Sequence, residues 1–287
     1  IVPNVKIDEI FNNKILSNSK HIHISDHYEI TPKIDDNRIT INDKSGEKKS
    51  AALLFYSASS LEHDLLNSFE FVEKKLDQVA ISASVNVQRK QHNSAYQLFT
   101  HDGPIALLPV QGNEASVVWS LEKNSSILKL EQNDLESQLN ELFKKHVSEL
   151  KIKNIQTQKL SFSYAKNMYQ DKIVLIGNVA HNIHPIAGQG FNLTVKDISK
   201  IVYYITKYHS LGLDFNSNQV LENFSNSRKY DNFSFSFGTL AMENIFSNEN
   251  KFIRNFTSKG LRLINRSKKL KKFFIEKATG KTNFKNY

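Results

Sequence analysis

A chain of 287 residues, 39% hydrophobic and 23% charged, is long enough for one large or two modest domains with a real core and has an ordinary globular composition. It contains no cysteine, which excludes disulfides, thiolate chemistry and cysteine-ligated zinc and fits a cytoplasmic setting. The net charge of +9 invites a nucleic-acid reading, but the basic residues form no recognisable binding motif and carry no interleaved aromatic stacking platform, so no nucleic-acid partner is expected.

Ile7, Ile10, Phe11 and Ile15 recur at helical spacing and predict an opening helix. Short strands are expected at 20–24, 28–31 and 38–41, with a turn at 43–46, before the apolar run 51–56 re-enters a sheet. Val79, Ile81, Ala83, Val85 and Val87 alternate with polar residues, the pattern of a strand with one buried face. Segments 96–100, 105–108 and 116–120 continue that antiparallel sheet. Asn133 followed by Glu136 reads as a helix N-terminal capping signal, and Leu135, Leu139, Leu142, Phe143, Val147 and Leu150 then share one face.

The stretch 172–193 is the most informative. Residues 172–176 form a short apolar run, the pattern of a strand covered on both faces. Gly177 lets the chain turn, and Pro185 rules out a regular helix interior. Gly188 and Gly190 flank Gln189, so backbone can approach a ligand closely. From Phe191, apolar residues at Val195, Ile198, Val202 and Ile205 mark one helix face. A loop feeding a helix in this way presents free N–H groups and a positive dipole end to an anion, a cofactor site in outline. Gly212 breaks the chain, and 218–279 reads as mostly helical.

Other candidates point to structure. His181 and His184 have a spacing that could suit a helix face, but Pro185 opposes a helix and no carboxylate is near in sequence. Packing or hydrogen-bonding roles are expected for both, as for His21 and His23 on the strand predicted there. No metal site is expected, and no catalytic side chain is singled out. Tyr96, Phe99, Pro109 and Trp119 either line a pocket for an aromatic substrate or form core. Near the C-terminus, Arg262, Arg266, Lys268, Lys269, Lys271, Lys272 and Lys277 are interleaved with Leu261, Leu263, Ile264, Leu270, Phe273 and Phe274. That pattern suits a basic helix lying on an anionic membrane surface, or one packing its apolar face on its own domain. No apolar run approaches the ~18–20 residues that span a bilayer, and no signal peptide is read at the start.

Gly177-Asn178-Val179-Ala180-His181-Asn182-Ile183-His184-Pro185-Ile186-Ala187-Gly188-Gln189-Gly190-Phe191-Asn192-Leu193 resembles the second flavin-contacting motif of class A FAD-dependent aromatic monooxygenases. It is most similar to the ubiquinone-biosynthesis hydroxylases (the UbiH/VisC group), whose pattern is roughly G-[DN]-A-A-H-x-x-H-P-I-A-G-Q-G-F-N-L. A second block agrees, with Ala95-Tyr96-Gln97-Leu98-Phe99, Gly103 to Pro109, and Val117-Val118-Trp119 standing where the family has A-Y-x-x-F, G-P-x-A-x-L-P and x-V-W. Phe224 and Arg228 fall where it has Y-x-x-x-R, and Arg228 is expected to tie the C-terminal helices to the FAD domain.

The resemblance implies an α/β (α+β) flavoprotein-monooxygenase fold. Residues 1–66 would be a FAD-domain remnant, 67–164 an antiparallel substrate-binding sheet, 165–216 the return of the FAD domain, and 217–287 a helical C-terminal region. Flavin contact falls to Asn178, Pro185, Gly188, Gln189, Gly190, Phe191 and Asn192. Asn178 stands where most relatives have Asp and keeps a carbonyl acceptor for the ribityl chain. The implied activity is hydroxylation of a polyprenylated phenol in ubiquinone biosynthesis. NAD(P)H or another reductant would reduce FAD, O₂ would give a flavin C4a-hydroperoxide, and its distal oxygen would pass to the ring. Implied surroundings are the cytoplasm, with peripheral contact at the inner face of the membrane, and association with other enzymes of the pathway. Two departures stand out. No G-x-G-x-x-G opens the chain, so it reads as a fragment of a longer enzyme; and where relatives end a strand in A-D-G-x-x-S, this chain has Ala58 and Ser59. A second reading, a degenerate non-catalytic paralogue that binds quinone precursors or partner enzymes, therefore stays open.

Overall fold

A computed structural model describes residues 4–18, 20–22, 28–35, 38–43, 48–58, 64–89, 94–183, 190–246, 266–269 and 272. The chain divides into two units. The first comprises Ile1–Ile30, Ile41–Lys48 and Leu76–Leu160, and the second Thr31–Thr40, Lys49–Lys75 and Ser161–Tyr287.

Helix α1 (Asn4–Ser17) forms as its apolar spacing predicts, although Ile10, Phe11 and Leu16 are exposed. Asn18 closes it, its Nδ2 donating to the Lys14 carbonyl at 2.8 Å. The strand expected at 20–24 is corrected: Lys20 and His21 lie in a turn, with His21 N–H donating to the Asn18 carbonyl at 2.9 Å. His23 lies outside the described residues, as do positions 44–46 of the expected turn. Strands β1 (Tyr28–Asp35), β2 (Arg38–Asp43) and β3 (Lys48–Ala51) form a three-stranded sheet in that order. The run 51–56 does not form one strand. It breaks after Ala51, and β4 (Leu54–Tyr56) joins a different sheet because Leu54 N–H donates to the Lys172 carbonyl at 2.9 Å.

The first unit is built on antiparallel strands. Strand β5 (Phe71–Arg89) pairs with β8 (Glu114–Glu122), which pairs with β7 (Gly103–Pro109), which pairs with β6 (Tyr96–Thr100). Ile81, Trp119 and Ile105 lie opposite one another across β5, β8 and β7. The alternation read from sequence is realised: Ile81, Ala83, Val85 and Val87 are buried, while Ser82, Ser84 and Asn86 are exposed. Helix α2 (Gln132–Phe143) buries Leu135, Leu139 and Phe143 in the same core.

Two expectations about α2 are corrected. Its cap position is Glu131, with no side-chain capping bond, and Asn133 lies inside the helix. Glu136 instead accepts the Ile152 N–H at 2.7 Å through Oε2, while Asn140 exchanges two bonds of 2.8 Å with Leu150 N–H and carbonyl. The helix thus satisfies backbone groups of strand β9 (Val147–Ala165), whose pairing would otherwise be incomplete. Val147 and Leu150 belong to β9 rather than to the helix. They stay in the core because a strand delivers them from the other side.

In the second unit, β11 (Ile173–Leu175) runs parallel to β4 and antiparallel to β10 (Tyr169–Gln170). All three β11 residues are buried, as expected for a strand covered on both faces. Buried Lys172 satisfies its ammonium on the Asn216 carbonyl at 2.5 Å. A 3-10 turn (Gly177–Val179) and β12 (His181–Asn182) follow, β12 pairing with the end of β9 at Tyr164 and Ser163. Helices α3 (Gly190–Ser210) and α4 (Asn218–Phe246) pack together, joined by a turn at Gly212 with φ +70°.

Helix α3 buries a face other than most of the apolar stripe that begins at Phe191. Leu193, Asp197 and Ile201 are buried, whereas Phe191, Val195, Ile198 and Val202 are exposed. Helical spacing reveals that an apolar stripe exists but not which side the fold covers. No helix among the described residues is long and apolar enough to cross a membrane.

Candidate functional site

The site is assembled where two parallel strands end. Leu175 and Tyr56 are register partners at the C-terminal ends of β11 and β4. Open parallel sheets bind ligands at the carboxyl ends of their strands, because helix N-termini converge there. Gly177 makes the turn with φ +80°, a conformation side chains rarely adopt. A Cβ there would lie 3.1 Å from Ser57 Oγ and 3.9 Å from Thr194 Cγ2, so the end of β4 and the first turn of α3 both close on this turn.

Asn178, the next residue, is exposed. Gly190, Phe191 and Asn192 open α3, with Phe191 55% exposed and Asn192 also exposed. No acidic side chain occupies the first turn of α3, so no carboxylate of that turn neutralises the positive end of the helix dipole. Among the described residues, a Cβ added at Gly190 would meet nothing nearer than Ile183 Cγ1 at 4.0 Å. The described residues therefore leave room at the helix start, and they fit an anionic, planar cofactor laid against it. Pro185, Gly188 and Gln189, and with them His184, lie outside the described residues.

Beneath the site is a buried polar network that sequence reasoning did not assemble. Asp197 on α3 has no exposed side-chain surface. Its Oδ2 bonds His181 Nε2 at 2.5 Å, and its Oδ1 accepts from Arg228 Nε at 2.7 Å and Asn232 Nδ2 at 3.1 Å. A carboxylate only accepts, so Nε2 carries the proton; Nδ1 has no partner among the described residues. Burial pushes the Asp197 carboxyl up, but the His181 hydrogen bond and charge, with the Arg228 guanidinium, outweigh it and hold the group below its ordinary range. His181 thus has the hydrogen-bonding role expected of it, and Arg228 links α4 to α3. The carboxylate joining them gave no signal, since an Asp within an amphipathic helix ordinarily faces solvent.

The aromatic candidates separate. Trp119 is wholly buried in the first unit's core, with Nε1 lacking a partner among the described residues. Tyr96 stacks on His146 with ring centres 4.0 Å apart, Pro109 is half-buried, and Phe99 is exposed. In the second unit, Phe162 and Tyr164 at the end of β9 meet Phe233 and Phe237 of α4, an aromatic cluster not singled out from sequence. A hollow of about 410 Å³ along β10 and α4 is lined by Asn167, Gln170, Asp171, Glu222, Asn226 and other polar groups, and offers little apolar wall to an aromatic ring. Among the described residues no group of His, Cys, Asp and Glu could hold a metal ion.

Comparison with known proteins agrees with this geometry. The sequence model of the family described as FAD binding domain matches residues 59–209, more than half of the chain. The chain is 28% identical over 206 residues to ubiquinone hydroxylase UbiL of Rhodospirillum rubrum, covering 71% of this chain and 48% of that protein. It is 29% identical over 199 residues to 3-demethoxyubiquinol 3-hydroxylase of Escherichia coli, covering 69% of this chain and 51% of that protein. The chain thus spans about half the length of these relatives. Its fold is similar to that of OxyS anhydrotetracycline hydroxylase from Streptomyces rimosus, with a TM-score of 0.68 and 14% identity, covering 98% of this chain and 57% of that one.

Proposed function

This chain belongs to the FAD binding domain family, and from that premise we propose that it serves FAD-dependent hydroxylation of a phenolic quinone precursor in ubiquinone biosynthesis. The observation that carries the reading is the convergence of Gly177, Asn178 and the start of α3, which has no acidic side chain in its first turn, at the ends of two parallel strands. Names of the two relatives support the substrate class.

Bound FAD would supply the redox chemistry that lets O₂ react with a ring. The balance is one O₂ and one NAD(P)H, or an equivalent two-electron donor, with a proton. One oxygen atom enters a C–H bond of the phenol and the other leaves as water. The chain's own residues bind and orient. Asn178 offers a carbonyl acceptor and amide donors to the flavin's polyol chain. Gly190, Phe191 and Asn192 at the start of α3 would hold the electron-rich edge of the flavin, and a helix dipole there would stabilise negative charge by ~0.3–1 kcal/mol exposed and ~2 partly buried. Pro185, Gly188 and Gln189 complete the flavin contacts in this reading.

The second unit is assigned to the cofactor and the sheet of the first to the substrate. A polyprenylated substrate partitions into bilayers, and exposed Arg266, Lys268, Lys269 and Lys272 suit contact with an anionic membrane. Association with other enzymes of the pathway would follow from the same location.

The test uses protein expressed from the complete reading frame that encodes these residues. Titration with FAD should give a bound flavin spectrum, and ¹⁸O₂ with NAD(P)H and a prenylated phenol should place one labelled atom in the product. Folded protein that takes up no FAD would sink the proposal and favour the non-catalytic reading suggested by Ala58 and Ser59.

A further inference from the structure

The second unit buries ionised groups that flavin contact does not require. Asp197 and Arg228 are at most 4% exposed, and His181 is 1% exposed. Arg228 is fully engaged: Nε meets Asp197, NH1 donates to Asp231 Oδ2 at 2.8 Å, and NH2 donates to Asn232 Oδ1 at 2.8 Å. Asn232 Nδ2 also lies 3.3 Å from Met168 Sδ. Removing these charges from water is costly, and well-packed apolar side chains of similar volume would hold the elements together at no greater cost. What apolar packing does not supply is direction. It is proportional to area and indifferent to small rotations and slides. A carboxylate gripped through both oxygens fixes the rotation and the axial position of its helix at once.

The grip joins three elements; one carries proposed flavin contacts and another lies next to one. His181 of β12 is separated by Ala180 alone from the Gly177–Val179 turn that holds Asn178. Asp197 sits two helical turns beyond Gly190 on α3. Arg228 anchors both from α4.

Taking the flavin reading as its basis, we propose that His181, Asp197 and Arg228 form a positioning clasp that fixes the start of α3 against the Gly177–Asn178 turn. None of the three belongs to the proposed flavin contacts. They act through the backbone segments that do, and the site's affinity depends on the register they impose. A one-residue slide of α3 would move its N–H groups by about 1.5 Å, enough to break a set of hydrogen bonds aimed at one ligand edge.

The experiment pairs Asp197→Leu with Arg228→Met in protein from the complete reading frame. This double variant removes both charges together and leaves neither orphaned. Hydrogen exchange is read over residues 176–182 and 190–196, and FAD affinity by fluorescence titration. The expected result is wild-type circular dichroism and melting, exchange at least tenfold faster in those two segments with β7 and β8 unchanged, and FAD bound at least tenfold more weakly. Arg228→Lys, which keeps the charge, should recover part of the affinity.

Wild-type exchange in both segments, or faster exchange with undiminished FAD affinity, would overturn the clasp. Wild-type protein that binds no FAD fails the flavin reading instead, and the exchange arm then judges the clasp alone. Should the double variant not fold, His181→Gln leaves the Asp197–Arg228 pair intact; faster exchange in the two segments, with a threefold to fivefold affinity loss, supports the clasp, and wild-type exchange counts against it.

Discussion

The two units differ in what their interiors bury. In the first, Trp119, Ile105, Leu121, Phe143 and Leu150 are essentially inaccessible and form a continuous apolar core between sheet and helix. In the second, the corresponding buried centre includes an aspartate, an arginine, a histidine and an asparagine bonded to one another. An apolar core gives stability without demanding one alignment, whereas a hydrogen-bonded polar centre gives alignment at a cost in desolvation. Alignment is what a cofactor site needs, and the polar centre lies under the segment that carries the site.

The largest expected effects fall on the two centres. Phe143→Ala should lower unfolding free energy by about 3–5 kcal/mol in denaturant titrations, because a large cavity remains in the core. Asp197→Ala should cost a similar ~3–5 kcal/mol by leaving Arg228 buried without its carboxylate. The pair differs in rescue: adding Arg228→Met should restore most of the Asp197→Ala loss, whereas no polar substitution near residue 143 would restore the first. If adding Arg228→Met brought no recovery, the distinction between the units would fail.

A middle effect comes from pH. The Asp197 carboxyl is held below its ordinary 3.8 in the folded chain. A depressed pKa contributes stability that is fully present above the unfolded value and is lost as pH falls through the folded one. Acid titration followed by segment-resolved exchange should therefore loosen 190–201 below about pH 4, in a step that Asp197→Asn removes.

Smaller again is Glu136→Ala. It leaves the Ile152 N–H without its acceptor, for which about 1–3 kcal/mol is expected. Smallest is Lys153→Ala, which breaks a pair with Glu114 whose members are 47% and 54% exposed; a change under about 1 kcal/mol is expected in the same titrations.

What was legible in the sequence follows the same division. The first unit announces itself through strict alternation in 79–87 and the short antiparallel segments after it, since a half-buried strand must alternate. It misleads at 147–165, where Lys151, Lys153, Asn154, Gln156, Thr157 and Gln158 are all exposed and the apolar period fades. Asn133 and Glu136 have capping spacing, but Glu136 is used on a neighbouring strand, a tertiary choice that local pattern does not encode.

In the second unit, the resemblance of 177–193 points to the proposed site, and the buried run 173–175 and the turn at Gly177 stand where the residues indicated. The clasp was invisible because Asp197 lies 16 residues from His181 and 31 from Arg228, and only the packing of α3 on α4 unites them. The exposure of Phe191, Val195, Ile198 and Val202 has a related reason: periodicity defines faces, and tertiary context decides which one is buried.

The most direct test of the account is FAD affinity of wild-type protein against Gly190→Val, measured by fluorescence titration beside the melting temperature of each apoprotein. Among the described residues a Cβ at 190 comes no nearer than 4.0 Å, to Ile183 Cγ1. The account predicts an unchanged apoprotein melt and at least a tenfold loss of affinity, about 1.4 kcal/mol, because the added methyl groups occupy the space assigned to flavin. Equal affinity in the two proteins would contradict it and place the cofactor elsewhere.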